Sequence, residues 1–160
     1  MSQDPPTSAD LPSSGRLVDG QHLLPVRVYY EDTDFTGVVY HATYLRFFER
    51  GRSEFLRVMG TPADRTDHGI FAVIRVEIDY KAPARIHDAL IVRTVFEGMK
   101  GPRLNFRQTI EKTAPDGTQQ VLCEAVVIAV AIHEDGRARR PSATELTHWN
   151  AYKRPSRNGP

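Results

Sequence analysis

Apolar side chains change their spacing along this chain, and each change marks a predicted element. Residues 26–30 alternate apolar with polar or amphipathic positions before an acidic stretch and Gly37, the pattern of a short strand running into a turn. Across 41–59 the spacing lengthens to three and four: Tyr44, Phe47, Phe48, Gly51, Phe55, Val58 and Met59 fall on one face. Arg46, Arg50, Ser53, Glu54 and Arg57 lie mostly on the other, so one long half-buried helix is predicted, with Gly60 and Thr61-Pro62 as its stop. After a polar loop ending at His68-Gly69, period two returns. Ile74, Val76, Ile78 and Tyr80 form one alternating set, Leu90, Val92, Thr94 and Phe96 a second, and Leu104, Phe106, Gln108 and Ile110 a third. Turn residues around Gly98-Met99-Lys100-Gly101-Pro102 and Ala114-Pro115-Asp116-Gly117 separate the later strands. Positions 121–132 are apolar on both faces, which predicts a strand in mid-sheet covered on both sides. Ser142 followed three positions later by Glu145 reads as a capping box opening a short last helix that carries Trp149.

The sum is an α+β plan: one strand, one long helix, then four strands joined largely as hairpins, with a single helix to cover one sheet face. Residues 1–22 and 153–160 carry Pro, Ser, Asp and Gly with few apolar side chains, so both ends are expected to be loose tails around one domain spanning 23–152. No internal repeat interrupts that domain.

Composition narrows the function. The 160 residues are 40% hydrophobic and 26% charged, enough for one real core. Twenty-one Lys and Arg against 20 acidic residues leave a formal charge of +1, which supplies no overall field for nucleic acid or an anionic membrane. No stretch approaches the roughly 20 apolar residues of a membrane span, and the N-terminus has no signal-peptide pattern. A cytoplasmic protein is expected, and the single Cys123, inside an apolar run, fits a reducing compartment and a packing role. The six histidines show no close spacing that suggests a metal site. A phosphate-cradling glycine loop is also missing, which argues against nucleotide and nicotinamide chemistry.

The chemically richest stretch runs Tyr29-Tyr30-Glu31-Asp32-Thr33-Asp34-Phe35-Thr36-Gly37-Val38-Val39-Tyr40-His41 and on through Phe48-Glu49-Arg50. Three carboxylates within four positions repel one another unless compensated, and a solvated turn or a helix cap would account for them. An acid in a loop that enters a helix, however, sits near unpaired backbone N–H groups that stabilise developing negative charge.

This stretch resembles, almost residue for residue, the signature of the 4-hydroxybenzoyl-CoA thioesterase family in its tol-pal-associated branch. Tyr80-Lys81-Ala82-Pro83-Ala84 and Asp88 are similar to a second family pattern. The resemblance implies a hotdog fold, in which a five-stranded antiparallel sheet wraps the long helix. Such domains pair by joining sheets, with active sites at the subunit interface, so a homodimer or dimer of dimers is expected. It implies hydrolysis of an acyl-CoA thioester without metal or redox cofactor, coenzyme A being part of the substrate, and acyl carrier protein is a further candidate partner. By motif position the catalytic carboxylate falls on Asp34, with Tyr30 and His41 as companions and the backbone N–H groups of Tyr40 and His41 facing the carbonyl oxygen. Asp34 is open to two roles, general base on water or direct attack to give an anhydride. Packing accounts for Tyr30 as well as chemistry does, and capping would account for His41. Glu49 is a rival base, read here as a structural partner of a neighbouring arginine, and Glu31 and Asp32 are read as neighbours of Asp34. The coenzyme's phosphates call for basic residues, for which Lys100, Arg103 and Arg107 are candidates, followed by Arg137, Arg139 and Arg140. Thr43 stands where many relatives carry Asn or Ser, a departure that bears on substrate preference. The rivals are a dehydratase or hydratase on the same fold, and a non-catalytic module that holds an acyl carrier or an envelope-associated partner.

Overall fold

The computed structural model describes residues 7–60 and 71–154. The expected helix stop at Thr61-Pro62, the loop through His68-Gly69 and the extreme ends lie outside them.

Strands β1 (Arg16–Val18), β2 (Gln21–Arg27), β3 (Phe71–Tyr80), β4 (Ala89–Lys100), β5 (Arg103–Thr113) and β6 (Gln119–Ala131) form one antiparallel sheet. Helix α1 (Thr43–Val58) packs against it, and α2 (Ala143–Asn150) closes the chain. The lateral order is β1-β2-β4-β5-β6-β3. Six strands stand where five were expected, because the stretch read as a loose tail pairs back: Arg16 opposes Leu23 and Val18 opposes Gln21 across an Asp19-Gly20 turn. Asp-Gly between two strands is a strong hairpin signal, and both residues take positive φ, 50° and 73°. The first strand also sits earlier than its alternation suggested. β2 ends at Arg27, and Tyr30–Asp32 forms a single 3-10 turn rather than a strand end.

Alternation sets the core. Leu90, Val92, Thr94 and Phe96 of β4 and Leu104, Phe106, Gln108 and Ile110 of β5 are buried beneath Phe47, Phe48 and Phe55 of α1. The helix lies close to the sheet because Gly51 has no side chain. A Cβ there would stand 2.7 Å from Val92 Cγ1 and 2.9 Å from Thr94 Oγ1. Gln108, fully buried, donates from Nε2 to the Phe48 carbonyl and to Thr94 Oγ1, both at 2.9 Å, which satisfies the amide inside an apolar layer. β6 lies inside the sheet order, between β5 and β3, as its composition predicted. Its second face, however, is only half covered at Val126 and Ile128. The Ser142 capping box is formed: Ser142 Oγ accepts from the Glu145 amide and the Glu145 carboxylate accepts from the Ser142 amide.

Candidate active site

Between β2 and α1 the chain makes a turn that presents one carboxylate. Asp34 Oδ1 accepts from the Thr36 amide at 2.8 Å and the Thr36 hydroxyl at 2.6 Å, while Gly37 donates its amide to the Asp34 carbonyl at 3.0 Å. Gly37 closes the turn at φ +79°, a conformation costly for any residue with a Cβ. The Thr36 hydroxyl, and after it the Thr36 amide, hold the Asp34 carboxyl below the usual carboxylate range, so it is ionised at neutral pH. Thr36, absent from the motif, is a further candidate through these bonds. A hydroxyl two positions after an Asp is its sequence signal.

The loop is clamped to the segment following β3. The Val39 amide donates to the Ala84 carbonyl at 2.8 Å, and Val38 bridges Arg85. Ala84 donates its amide to the Tyr44 hydroxyl at 3.0 Å, and the Tyr80 hydroxyl donates to the His41 carbonyl at 2.7 Å. Asp88 accepts from the Arg85 amide and from Lys112 Nζ. The Tyr80–Asp88 motif therefore works as the bracket that fixes the Asp34 loop against the first turn of α1.

At that first turn, one of the two expected backbone donors is already engaged. The Tyr40 amide donates to the Asp32 carbonyl at 2.9 Å, which removes it from any role toward a substrate oxygen. The His41 amide, one residue ahead of the Ala42 N-cap of α1, has no partner among the described residues. The His41 ring packs at a tilt of 56° against Tyr40, with centroids 4.5 Å apart, and makes no hydrogen bond to the Asp34 carboxylate. Tyr30 is 83% exposed, its ring out in solvent and its carbonyl accepting from Thr33. Within the chain, then, the fold brings Asp34 and the free His41 amide to one loop but draws the Tyr30 and His41 side chains to neither. Asp32 is buried and accepts from the Tyr29 amide at 2.8 Å, a structural role as expected.

Glu49 pairs differently from expectation. Its carboxylate accepts from the Ser53 hydroxyl at 2.7 Å, one turn along the helix, with Arg52 beside it acting through charge alone. Glu49 also lines a cavity of about 250 Å³ between α1, β3, β5, β6 and α2, of which Asp34 is not a wall.

Within the chain the phosphate candidates stand apart from Asp34. Lys100 and Arg103 flank the β4–β5 hairpin, while the Asp34 loop lies by Ala89, roughly 35 Å away at the rise of a strand. Arg107 is held by Glu97 at 2.8 Å. Basic residues at the Asp34 end include Arg27, Arg46, Lys81, Arg85 and Lys112, and Lys112 is committed to Asp88 and Lys81 to Glu124. Arg85, bridged to the loop through Val38, is a further phosphate candidate. Arg139 is bonded to Glu145 through two nitrogens.

Comparison with known proteins decides the family. The model of the thioesterase-like superfamily matches residues 28–149. The chain belongs to that superfamily. The acyl-CoA thioester hydrolase YbgC of Escherichia coli is 42% identical over 110 residues, 68% of this chain and 79% of that protein. The crystal structure of a probable thioesterase from Bartonella henselae is 40% identical, with a TM-score of 0.66, and covers 76% of this chain and 98% of its own. A 4-hydroxybenzoyl-CoA thioesterase mutant complexed with 4-hydroxybenzoyl-CoA superposes at a TM-score of 0.75 with 20% identity, covering 81% and 98%, a likeness of fold. The thioesterase fold thus extends over both the Asp34 loop and the bracket that holds it. Among the described residues of this thioesterase no helix is long and apolar enough to cross a membrane.

Proposed function

We propose that this thioesterase hydrolyses an acyl-CoA thioester to free acid and coenzyme A in the cytoplasm, with Asp34 as the catalytic carboxylate and the His41 amide as a donor to the carbonyl oxygen. The observation that carries the assignment is the pairing of an ionised acid with a free helix-start amide on one clamped loop. In the tetrahedral stage negative charge gathers on the thioester oxygen, and a preorganised amide lowers that barrier. Losing one such donor costs roughly a hundred- to a thousandfold in rate. Asp34 either takes the proton from attacking water or adds to the carbonyl itself. In both routes the thiolate of coenzyme A leaves and is protonated by solvent. Arg85 is the first basic residue to hold a phosphate of the coenzyme, replacing the Lys100, Arg103 and Arg107 set within a protomer.

The same reading calls for a second copy of the chain. β3 is an edge strand of ten residues whose exposed side chains include Val73, Ile74, Val76 and Tyr80, Ile74 at 50%. A long apolar edge of that kind is a template for strand pairing. A two-fold axis normal to the sheet runs two copies of β3 antiparallel and brings the partner's wall against the open Asp34 loop, where Tyr30 and Phe35 are bare. A dimer of such dimers is compatible with this pairing.

The test is release of coenzyme A from a panel of acyl-CoAs, alongside molecular mass in solution. Native protein should be a dimer or larger and turn over at least one substrate. Asp34→Asn should keep the mass and lose turnover, whereas Val76→Arg should lose both. An Asp34→Asn protein as active as the native one would overturn the assignment and favour a binding module.

A further inference from the structure

Helix α1 begins without a side-chain cap. Ala42, whose methyl group can accept no hydrogen bond, holds the N-cap position. The His41 and Ala42 amides have no partner among the described residues. Water alone would satisfy an open helix mouth of this kind, so the mouth by itself assigns no chemistry. Thr43, the first helical residue, adds a second feature. It is only 7% exposed, yet its hydroxyl has no hydrogen-bond partner among the described residues. Thr147 of α2 satisfies its own hydroxyl by donating to the Ala143 carbonyl one turn back, at 3.0 Å, and Thr43 makes no such bond.

The placement of that hydroxyl follows from the helix. Thr43 stands one turn before Phe47 and two before Gly51, on the row of α1 that packs against the sheet. Helical side chains lean toward the N-terminus, so the Thr43 hydroxyl leans into the mouth opened by His41 and Ala42. Among the described residues the buried polar atoms sealed off without a partner are His22 Nδ1, Glu54 Oε2 and His148 Nε2. Thr43 Oγ1 is not one of them, so it is unbonded but open at its tip. A half-buried hydroxyl left unpaired costs free energy that a group arriving from outside relieves. We propose that the Thr43 hydroxyl is the second donor to the thioester oxygen, taking the place of the Tyr40 amide that the Asp32 carbonyl holds at 2.9 Å. The His41 amide and the Thr43 hydroxyl then share the negative charge that gathers on that oxygen. No proton is transferred: the carbonyl re-forms as the thiolate leaves, and both donors are released. The inference rests on the proposed reaction and adds to it a side-chain catalytic residue.

The experiment measures kcat, KM and melting temperature on hexanoyl-, hexadecanoyl- and benzoyl-CoA for native protein, Thr43→Val and Thr43→Ser. Thr43→Val keeps the shape of the side chain and removes the hydroxyl. Its kcat should fall about a hundredfold, the lower end of the range for one lost donor, with KM held within about twofold because the bond matures only in the transition state. Its melting temperature should stay level or rise, since an unpaired hydroxyl has been removed from a buried position. Thr43→Ser keeps the donor and should stay within about fivefold of native kcat. Affinity for S-hexyl-coenzyme A, a thioether with no carbonyl oxygen, should be the same in native protein and Thr43→Val. Native kcat in Thr43→Val, equal losses in the Val and Ser variants, or a matching loss of thioether affinity overturns the donor role and leaves the thioesterase reading intact. A native protein that releases coenzyme A from none of the three substrates overturns the proposed reaction itself, and the role of Thr43 with it.

Discussion

Two turns of this protein have the same local architecture and opposite fates. At Asp34 and at Asp116 an aspartate Oδ1 accepts from the amide and hydroxyl of a threonine two residues on, at 2.8 and 2.6 Å in the first and 2.9 and 2.6 Å in the second. Both carboxyls are held below the usual range, with the threonine hydroxyl as the leading cause in each. Yet the Asp116 turn only joins β5 to β6, its Ala114 amide bonded to the Thr118 carbonyl in a closed hairpin end. The Asp34 turn instead opens into a helix start with a free amide and is bracketed by Tyr80, Ala84 and Arg85. A lowered carboxyl pKa therefore does not make a site here. What distinguishes the two is the set of groups that the fold places beside them.

The sharpest way to break this comparison is to remove each acid in turn. Asp34→Asn should cut kcat by about a thousandfold, within the range for loss of a positioned acid–base group, while Asp116→Asn should leave kcat within about twofold. Equal losses would mean that the local turn, not its surroundings, matters. The next effect is on stability. Gly51→Ala forces the helix away from Val92 and Thr94, an overpacking cost of about 1–3 kcal/mol against a helix-propensity gain of about 1 kcal/mol. A net loss on the order of 1 kcal/mol should appear in denaturant unfolding, with the kcat of the folded fraction also reduced because the first turn of α1 shifts. Tyr80→Phe, which deletes the donor to the His41 carbonyl, should lower kcat about tenfold with little change in KM. A drop confined to KM would assign Tyr80 to binding.

The mildest test concerns pH. The threonine bonds stabilise the ionised form of each aspartate, so their contribution is present above the ordinary carboxyl pKa and fades as pH falls through the depressed one. Thr36→Val should therefore move the acid limb of the pH–rate profile upward, and Thr118→Val should leave that profile where it was. Both positions are open enough to solvent that neither substitution should change the melting temperature much.

Much of this was legible along the chain. Spacing alone marked α1 at nearly its true ends, placed β3 to β6 in order and flagged the Ser142 capping box, because amphipathic period and capping are local properties of consecutive residues. The Asp34 loop stood out through its charge density beside Gly37, and its family likeness through a run of adjacent residues. The Asp19-Gly20 hairpin was equally local but easily overlooked, since a three-residue strand gives too short a stretch for period two to register.

Other features were decided only when the chain folded. That the Tyr40 amide is engaged by Asp32, that Lys100 and Arg103 end roughly a strand's length from Asp34, and that β3 rather than β6 forms the bare edge all depend on pairings between distant segments. So does the cavity, whose walls come from five elements. Periodicity tells which face of a strand is dry. It carries no information on which neighbour the strand will find, and hydrogen-bond donors are allotted by those neighbours.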